Sequence, residues 1–248
     1  MQSPDIIISA WQDALTRLAR ALDGTATTPE DGLFELHSRV PVPNLNGLLV
    51  TDPSLDDGVI TDAIASFEAA GPWSVQLRTA PTEAVVAAAA ARGLETLVPL
   101  PLMTRGLDDE LATELPEGVT VRAMSAGDHA VYGETLADGF GAPRAVLAAL
   151  GDTAVLGADG MRGFLVESGG RPLATAFAVR TDDTVAITNV AVLPEHRRRG
   201  LGTIATRAAL DYARASGARS AYLHASALGL PVYRRLGFTV AEEWTMFV

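Results

Sequence analysis

Along the second half of the chain, short runs of β-branched and apolar residues alternate with longer stripes at helical spacing. Val119–Ala123 reads as a strand, and Ser125–Asp128 offers the start of a helix that continues through Ala130–Phe140. Gly163–Glu167 and Leu173–Arg180 are strand-like and flank the glycine-rich turn Ser168–Arg171, the pattern of a hairpin. Val185–Leu193 is almost wholly apolar, which predicts a strand buried on both faces. Further on, Leu201, Ile204, Ala205, Ala208 and Tyr212 form the buried stripe of a helix, with Arg207, Asp211 and Arg214 facing out and Gly217 as its stop. Ser220–Ala225 is the next strand, Leu230–Leu236 a short helix closed by Gly237, and Phe238–Val248 a last strand. The alternation predicts an α/β fold: a mixed sheet with helices on both faces.

A weaker copy of the same ending lies in the first half. Asn46–Thr51 reads as a strand, Val59–Ala70 as a helix ending at Gly71, and Trp73–Leu77 as a strand. Thr82–Arg92 is then an alanine-rich helix capped by Gly93, and Leu94–Leu102 a strand. Aligning Ala91–Leu94 on Arg235–Phe238 puts the elements of the two halves in one order, which predicts an internal duplication. Gly106–Gly118 is acidic and ends in Pro116–Glu117–Gly118, so it is expected to be a linker or an exposed short helix. The predicted units are residues 1–117 and 118–248.

Charge separates the halves further. Residues 1–118 hold 6 Arg against 18 acids, whereas residues 119–248 hold 13 Arg against 12. The total of −11 argues against a nucleic-acid binder, and the second half is the better place for an anion. With no cysteine, disulfides and thiolate chemistry are excluded. The four histidines show no helical metal-ligand spacing, so no metal is expected. The longest apolar run, Ala84–Ala91, is too short to span a bilayer, and the start lacks a basic signal-peptide region. A cytoplasmic location is expected.

The loop Glu195–Thr203 (EHRRRGLGT) joins the strongest strand to a helix. Free amides at a helix N-terminus bind phosphate, and Gly200 and Gly202 allow close approach. Arg197, Arg198 and Arg199 add charge beside it. Gly200-x-Gly202-x-x-Ala205 also fits a dinucleotide fingerprint. That fold, however, needs its first glycine at the strand end and an acid at the tip of the next strand. Here six residues separate the strand from the first glycine, and the next strand ends in His224-Ala225-Ser226.

From these residues the sequence resembles the GNAT superfamily of acyl-CoA-dependent N-acetyltransferases over about residues 119–248. Arg197-Arg198-Arg199-Gly200-Leu201-Gly202 matches its signature loop, and Tyr233 before Gly237-Phe238 matches its closing segment. The resemblance implies two GNAT-like units, each a central mixed sheet flanked by helices, the first degenerate and without an acyl-CoA loop. It implies acetyl-CoA as co-substrate, with the pyrophosphate on the amides of Arg198 to Thr203, Leu201 among them, and the pantetheine arm along Val190, Ala191 and Val192. Ser226 stands where the family often has a cofactor-binding asparagine. Tyr233 is implied as general acid in direct acyl transfer to a primary amine, on a small molecule or a peptide. The base is left open between His224, which titrates in the useful range, and Glu134 or Asp138 on the preceding helix. A cationic acceptor would be drawn by the acidic first half. The alternative is a non-catalytic acyl-CoA-binding sensor or interaction module. Trp11, Trp73 and Trp244 are expected to serve packing.

Overall fold

A computed structural model describes residues 3–108 and 115–248. The first half contains α1 (Pro4–Ala21), β1 (Thr25–Glu30), β2 (Leu33–His37), β3 (Asn46–Val50), α2 (Asp57–Ser66), β4 (Ser74–Leu77), α3 (Glu83–Ala91) and β5 (Leu97–Gly106). The second half contains β6 (Val119–Ala123), α4 (His129–Phe140), α5 (Arg144–Leu147), α6 (Thr153–Leu156) and β7 (Met161–Ser168). It continues through β8 (Arg171–Thr181), β9 (Thr184–Val192), α7 (Leu201–Ala215), β10 (Ser220–His224), α8 (Leu230–Arg235) and β11 (Thr239–Phe247).

The eleven strands of the described residues form one mixed sheet in the order β1-β2-β3-β4-β11-β5-β10-β9-β8-β7-β6. The two halves follow the same succession of elements in this order. Two parallel pairs, β3–β4 and β9–β10, stand on either side of the centre. Each is reached through a preceding antiparallel hairpin, β2–β3 or β8–β9. The closing strands are exchanged between the halves: β11 pairs with β4 of the first half, and β5 pairs with β10 of the second. β5 and β11 pair with each other at the centre.

Helices cover both faces because each sheet face is apolar. Helix α1 turns Ile7, Ile8, Ala14, Leu15 and Ala19 inward, at helical spacing. Together with α4 it covers a core that runs from Phe34 and Leu49 in the first half to Phe177 and Tyr222 in the second. On the opposite face, α7 packs Leu201, Ile204, Ala205 and Leu210 against Val185 and Ile187. There α2 and α3 cover a third cluster around Ile64, Val75 and Phe247. Each such side chain, fully buried, contributes roughly 1.5–3 kcal/mol.

Several element boundaries differ from the sequence expectation. Helix α2 stops at Ser66 because Phe67 leaves helical angles and Arg92 donates to the carbonyls of Ile64, Ala65 and Phe67. The strand expected at Leu94–Leu102 is β5, shifted to Leu97–Gly106 by its pairing with β10 and β11. In α7, Ala209 and Ala213 are buried while Ala208 and Tyr212 are only half-buried. Helix α1 and the hairpin β1–β2 were not read from the sequence. Of the stretch read as a linker, Gly106 closes β5, and residues 109–114 lie outside the described residues. Among the described residues, no helix is long and apolar enough to cross a membrane.

Candidate functional site

The strand β9 pairs with β10 at only three positions, Thr184, Val185 and Ala186. From there to Val192 it runs without a ladder on that side. A bulge against β8 falls in the same stretch, where Asn189 and Val190 together oppose Ala176. Asn189 lies at a φ of 52°, and its carbonyl accepts from Thr175 Oγ1 at 2.8 Å. Thr188, Asn189, Val190 and Val192 are half-buried, while Thr184–Ile187 are fully buried. The result is a strand edge from Ile187 to Val192 with no ladder partner on that side. Helix α4 reaches the same edge: Gly139 lies so close that a Cβ there would stand 2.8 Å from the Ala191 Cβ.

At the end of β9 the chain makes a short 3-10 turn and enters the arginine–glycine loop. Arg198 at φ 62° and Gly200 at φ 79° bracket Arg199 in left-handed conformations, and Gly200 is the N-cap of α7. No side chain caps α7, and its ladder begins with Ile204 N–H bonded to the Gly200 carbonyl. The amides of Leu201, Gly202 and Thr203 therefore have no partner within the helix, at the positive end of its dipole. The three arginines divide their work. Arg197 is tied to the protein, donating to the carbonyls of Gly139 at 2.8 Å and Val192 at 3.3 Å. Arg199 meets His196 Nδ1 at 2.9 Å. Arg198 is exposed beside the uncapped amides.

Tyr233 comes from α8 and shares its apolar cluster with Val190 and Val192. Its ring lies edge-on to Phe238 at 5.9 Å and against Gly229. Burial pushes its phenol up to about 12, so it keeps its proton at neutral pH. Ser226 is exposed, and its hydroxyl oxygen accepts from Gly229 N–H at 3.2 Å in the turn leading into α8.

The three candidate bases fare poorly. His224 projects on the opposite face of the sheet from Tyr233, stacked on Trp11 at 5.2 Å and edge-on to Trp244 at 4.7 Å. Both ring nitrogens are shielded from solvent without a hydrogen-bond partner, and burial lowers its pKa to about 3. A nitrogen that weakly basic cannot deprotonate an alkylammonium group efficiently. Glu134 and Asp138 are both paired with Arg144, each at 2.8 Å. That guanidinium holds the Asp138 carboxyl below its usual range. Trp73 and Trp244 are buried as expected, whereas Trp11 is half-buried. Three features escaped the sequence reading: the Asn189 bulge, the Gly139 contact and the Arg144 bridge. A glycine next to the end of a predicted helix could have signalled the second.

The corresponding turn of the first half is closed. β3 and β4 pair along their length, from Gly47–Ser74 to Val50–Leu77. Immediately beyond, Arg78 donates to the Thr51 carbonyl at 2.6 Å, pairs bidentately with Glu242 and makes a single ion pair with Asp5 at 3.1 Å. The loop into α2 carries Asp52 and Asp56, Asp57 opens the helix, and the Asp56 carboxylate accepts the Gly58 N–H at 2.8 Å.

Residues 136–238 match the model of the acetyltransferase (GNAT) family. Over that stretch the chain is similar to the GNAT family, a family of acetyltransferases. The whole fold is shared with a GCN5-related N-acetyltransferase from Kribbella flavida, at 21% identity and a TM-score of 0.69 over 99% of this chain and 95% of that one. A functionally unknown conserved protein from Staphylococcus epidermidis aligns at 15% identity and a TM-score of 0.64, over 91% and 93%. A GCN5-related N-acetyltransferase from Sphaerobacter thermophilus gives 20% and 0.58, over 87% and 75%. No curated protein matches the chain in sequence.

Proposed function

We propose that the second unit, residues 118–248, transfers an acetyl group from acetyl-CoA to a primary amine by direct attack, and that residues 1–117 are a degenerate unit of the same kind. The observation that carries this reading is the conjunction of the uncapped turn of α7 with the free edge of β9. The fit to acetyl-CoA rests on three features. The amides of Leu201, Gly202 and Thr203, with Arg198 beside them, suit a pyrophosphate. Gly202 carries no side chain beside those amides, and a Cβ there would make ordinary contact with the Val192 side chain at 3.5 Å. The unpaired edge of Val190, Ala191 and Val192 suits an amide-bearing arm added as a strand.

Acetyl-CoA supplies an activated thioester. The chain's own groups then have separable tasks. Arg197, anchored to Gly139 and Val192, fixes the loop against α4. A strand amide near Val190 polarises the reacting carbonyl. The protonated Tyr233 phenol gives its proton to the departing sulfur. His224 is not assigned the base, and the acceptor amine loses its proton to solvent. The shortage of a free base supports a second reading, a non-catalytic acyl-CoA sensor.

The test is CoA release from acetyl-CoA across a panel of amines with the purified protein. Turnover supports the enzyme. Calorimetric binding of acetyl-CoA without turnover of any amine supports the sensor, and no binding removes both.

A further inference from the structure

On α4, Tyr132, Leu136 and Gly139 are buried and fall on one stripe at helical spacing. Gly139 meets Ala191 and Val192 near the end of β9. Tyr132 lies two turns earlier, about 10 Å back along the helix axis. Three residues of strand cover about the same 10 Å. That places Tyr132 beside Thr188 and Asn189, and its ring is tilted against Phe177, the cross-strand partner of Thr188, at 6.4 Å. The hydroxyl faces the Asn189 side chain, is shielded from solvent and closes no hydrogen bond. Burial holds the phenol above its usual range, so the oxygen stays protonated and uncharged.

A buried hydroxyl without a partner costs stability. Tyr222 carries the same defect facing Thr181, but there β9 and β10 are paired through Tyr222 and Ala186. Tyr132 instead stands at the start of the free edge of β9. The bulge takes Asn189 out of the ladder, and the Thr175 hydroxyl on its carbonyl holds a left-handed backbone that asparagine tolerates better than most residues. Tyr132 belongs to the cluster under α1 and α4, whereas Val190 and Tyr233 belong to the cluster on the opposite face. The edge thus has two neutral hydrogen-bonding oxygens on one face and a buried phenol on the other.

Resting on the acetyltransferase reading, we infer that Asn189 Oδ1 and the Tyr132 hydroxyl oxygen receive the two N–H groups of the attacking primary amine. The lone pair then points at the thioester carbonyl beside Val190. Both acceptors are neutral, so they do not favour the ammonium form as a carboxylate would. As the nitrogen–carbon bond forms, the nitrogen gains positive charge and both hydrogen bonds strengthen. The carbon–sulfur bond breaks toward Tyr233, whose proton goes to the sulfur. One amine proton leaves to solvent, and solvent returns one to Tyr233. A secondary amine has a single N–H and leaves one of the two oxygens without a partner, so the pair selects primary amines.

The experiment measures CoA release with phenethylamine and glycinamide, each against its N-methyl derivative, and with putrescine against its N,N′-dimethyl derivative. Wild type is compared with Tyr132→Phe, which keeps the ring, and Asn189→Gly, which keeps the left-handed backbone. Wild type should favour the primary member of a pair at least ~50-fold in kcat/KM. Each variant should lower the primary value about tenfold and change the secondary value less than about threefold, with the KM for acetyl-CoA within about twofold. Tyr132→Phe should leave the denaturation midpoint unchanged or raised, which a packing role would not do. Asn189→Asp should move the rising limb of the pH–rate profile to higher pH, because a carboxylate favours the ammonium form. Equal losses for both members of a pair, or variants that turn over primary amines as wild type does, overturn the inference. If no amine is turned over, the acetyltransferase reading fails separately. Side-chain amide NMR of the protein with CoA then decides the inference, the Asn189 signal being identified by its loss in Asn189→Gly. A signal that shifts with phenethylamine and not with its N-methyl derivative upholds it, and one that no amine moves overturns it.

Discussion

The turns β9–α7 and β3–α2 occupy matching places in the two halves, yet they present opposite chemistry. The first ends in three arginines and two glycines and leaves its helix uncapped. The second carries three aspartates, and one of them caps its helix from within. Beyond the first turn's strand the ladder opens after three pairs, whereas beyond the second Arg78 binds the end of β3 to β11 and α1. A strand–turn–helix unit is thus not itself an anion site. On the function proposed above, it becomes one when no side chain of its own takes up the amides and when the neighbouring strand edge is left unpaired.

Substitutions can break this contrast at graded cost. The largest effect is expected at Tyr233, whose counterpart in the first half is Ala89. Tyr233→Phe should lower kcat by ~10²-fold or more while acetyl-CoA affinity, read by calorimetry, changes little. Unchanged turnover would make the residue a packing element only. Gly200→Val should follow, because φ at 79° is strained for any side chain and open space surrounds the site. A cost of ~1–3 kcal/mol corresponds to a ~5–150-fold loss of acetyl-CoA affinity in a protein with wild-type circular dichroism. Arg198→Ala removes one charge-assisted contact, on the order of 1–2 kcal/mol, and should weaken binding about tenfold, more at low salt than at high salt.

In the other half, Asp56→Ala should cost about 1 kcal/mol of stability in a denaturant titration and leave acetyl-CoA affinity unchanged. Loss of acetyl-CoA binding in that variant would contradict the division of labour. A last test is pH. With His224 lowered to about 3 in the folded protein, against about 6.5 when unfolded, the unfolded chain binds the extra proton between those values. Its contribution to stability is complete above pH 6.5 and is lost as the pH falls toward 3. His224→Phe should flatten the stability–pH curve in that window, and the pH–rate profile should show no inflection from His224 near 6.5.

Much of this contrast was legible in the sequence, because local rules govern it. Val185–Leu193 and the loop at Glu195–Thr203 stand where their apolar run and glycines put them. The α/β class follows from the same alternation. What was not legible depends on partners far away in the chain. His224 was ambiguous until Trp11, more than two hundred residues earlier, was found stacked on it. The two acids of α4 looked available until Arg144 folded back between them. The boundary of β5 follows from pairings with strands over a hundred residues later. Hairpin β1–β2 was missed because β1 is exposed at almost every position and has no apolar alternation to read.

The exchange of β5 and β11 has a consequence for how the chain reaches its native state. The central pair of the sheet joins residues that are separated by about 135 to 150 positions, for instance Thr104 with Thr239 and Leu97 with Phe247. During synthesis every other strand of the sheet emerges before β11. Until then β4 and β5 each lack the neighbour that will lie between them, and both stay open to a foreign strand. Closure of the sheet is therefore a late, long-range event, of the kind that slows folding and lengthens exposure to aggregation.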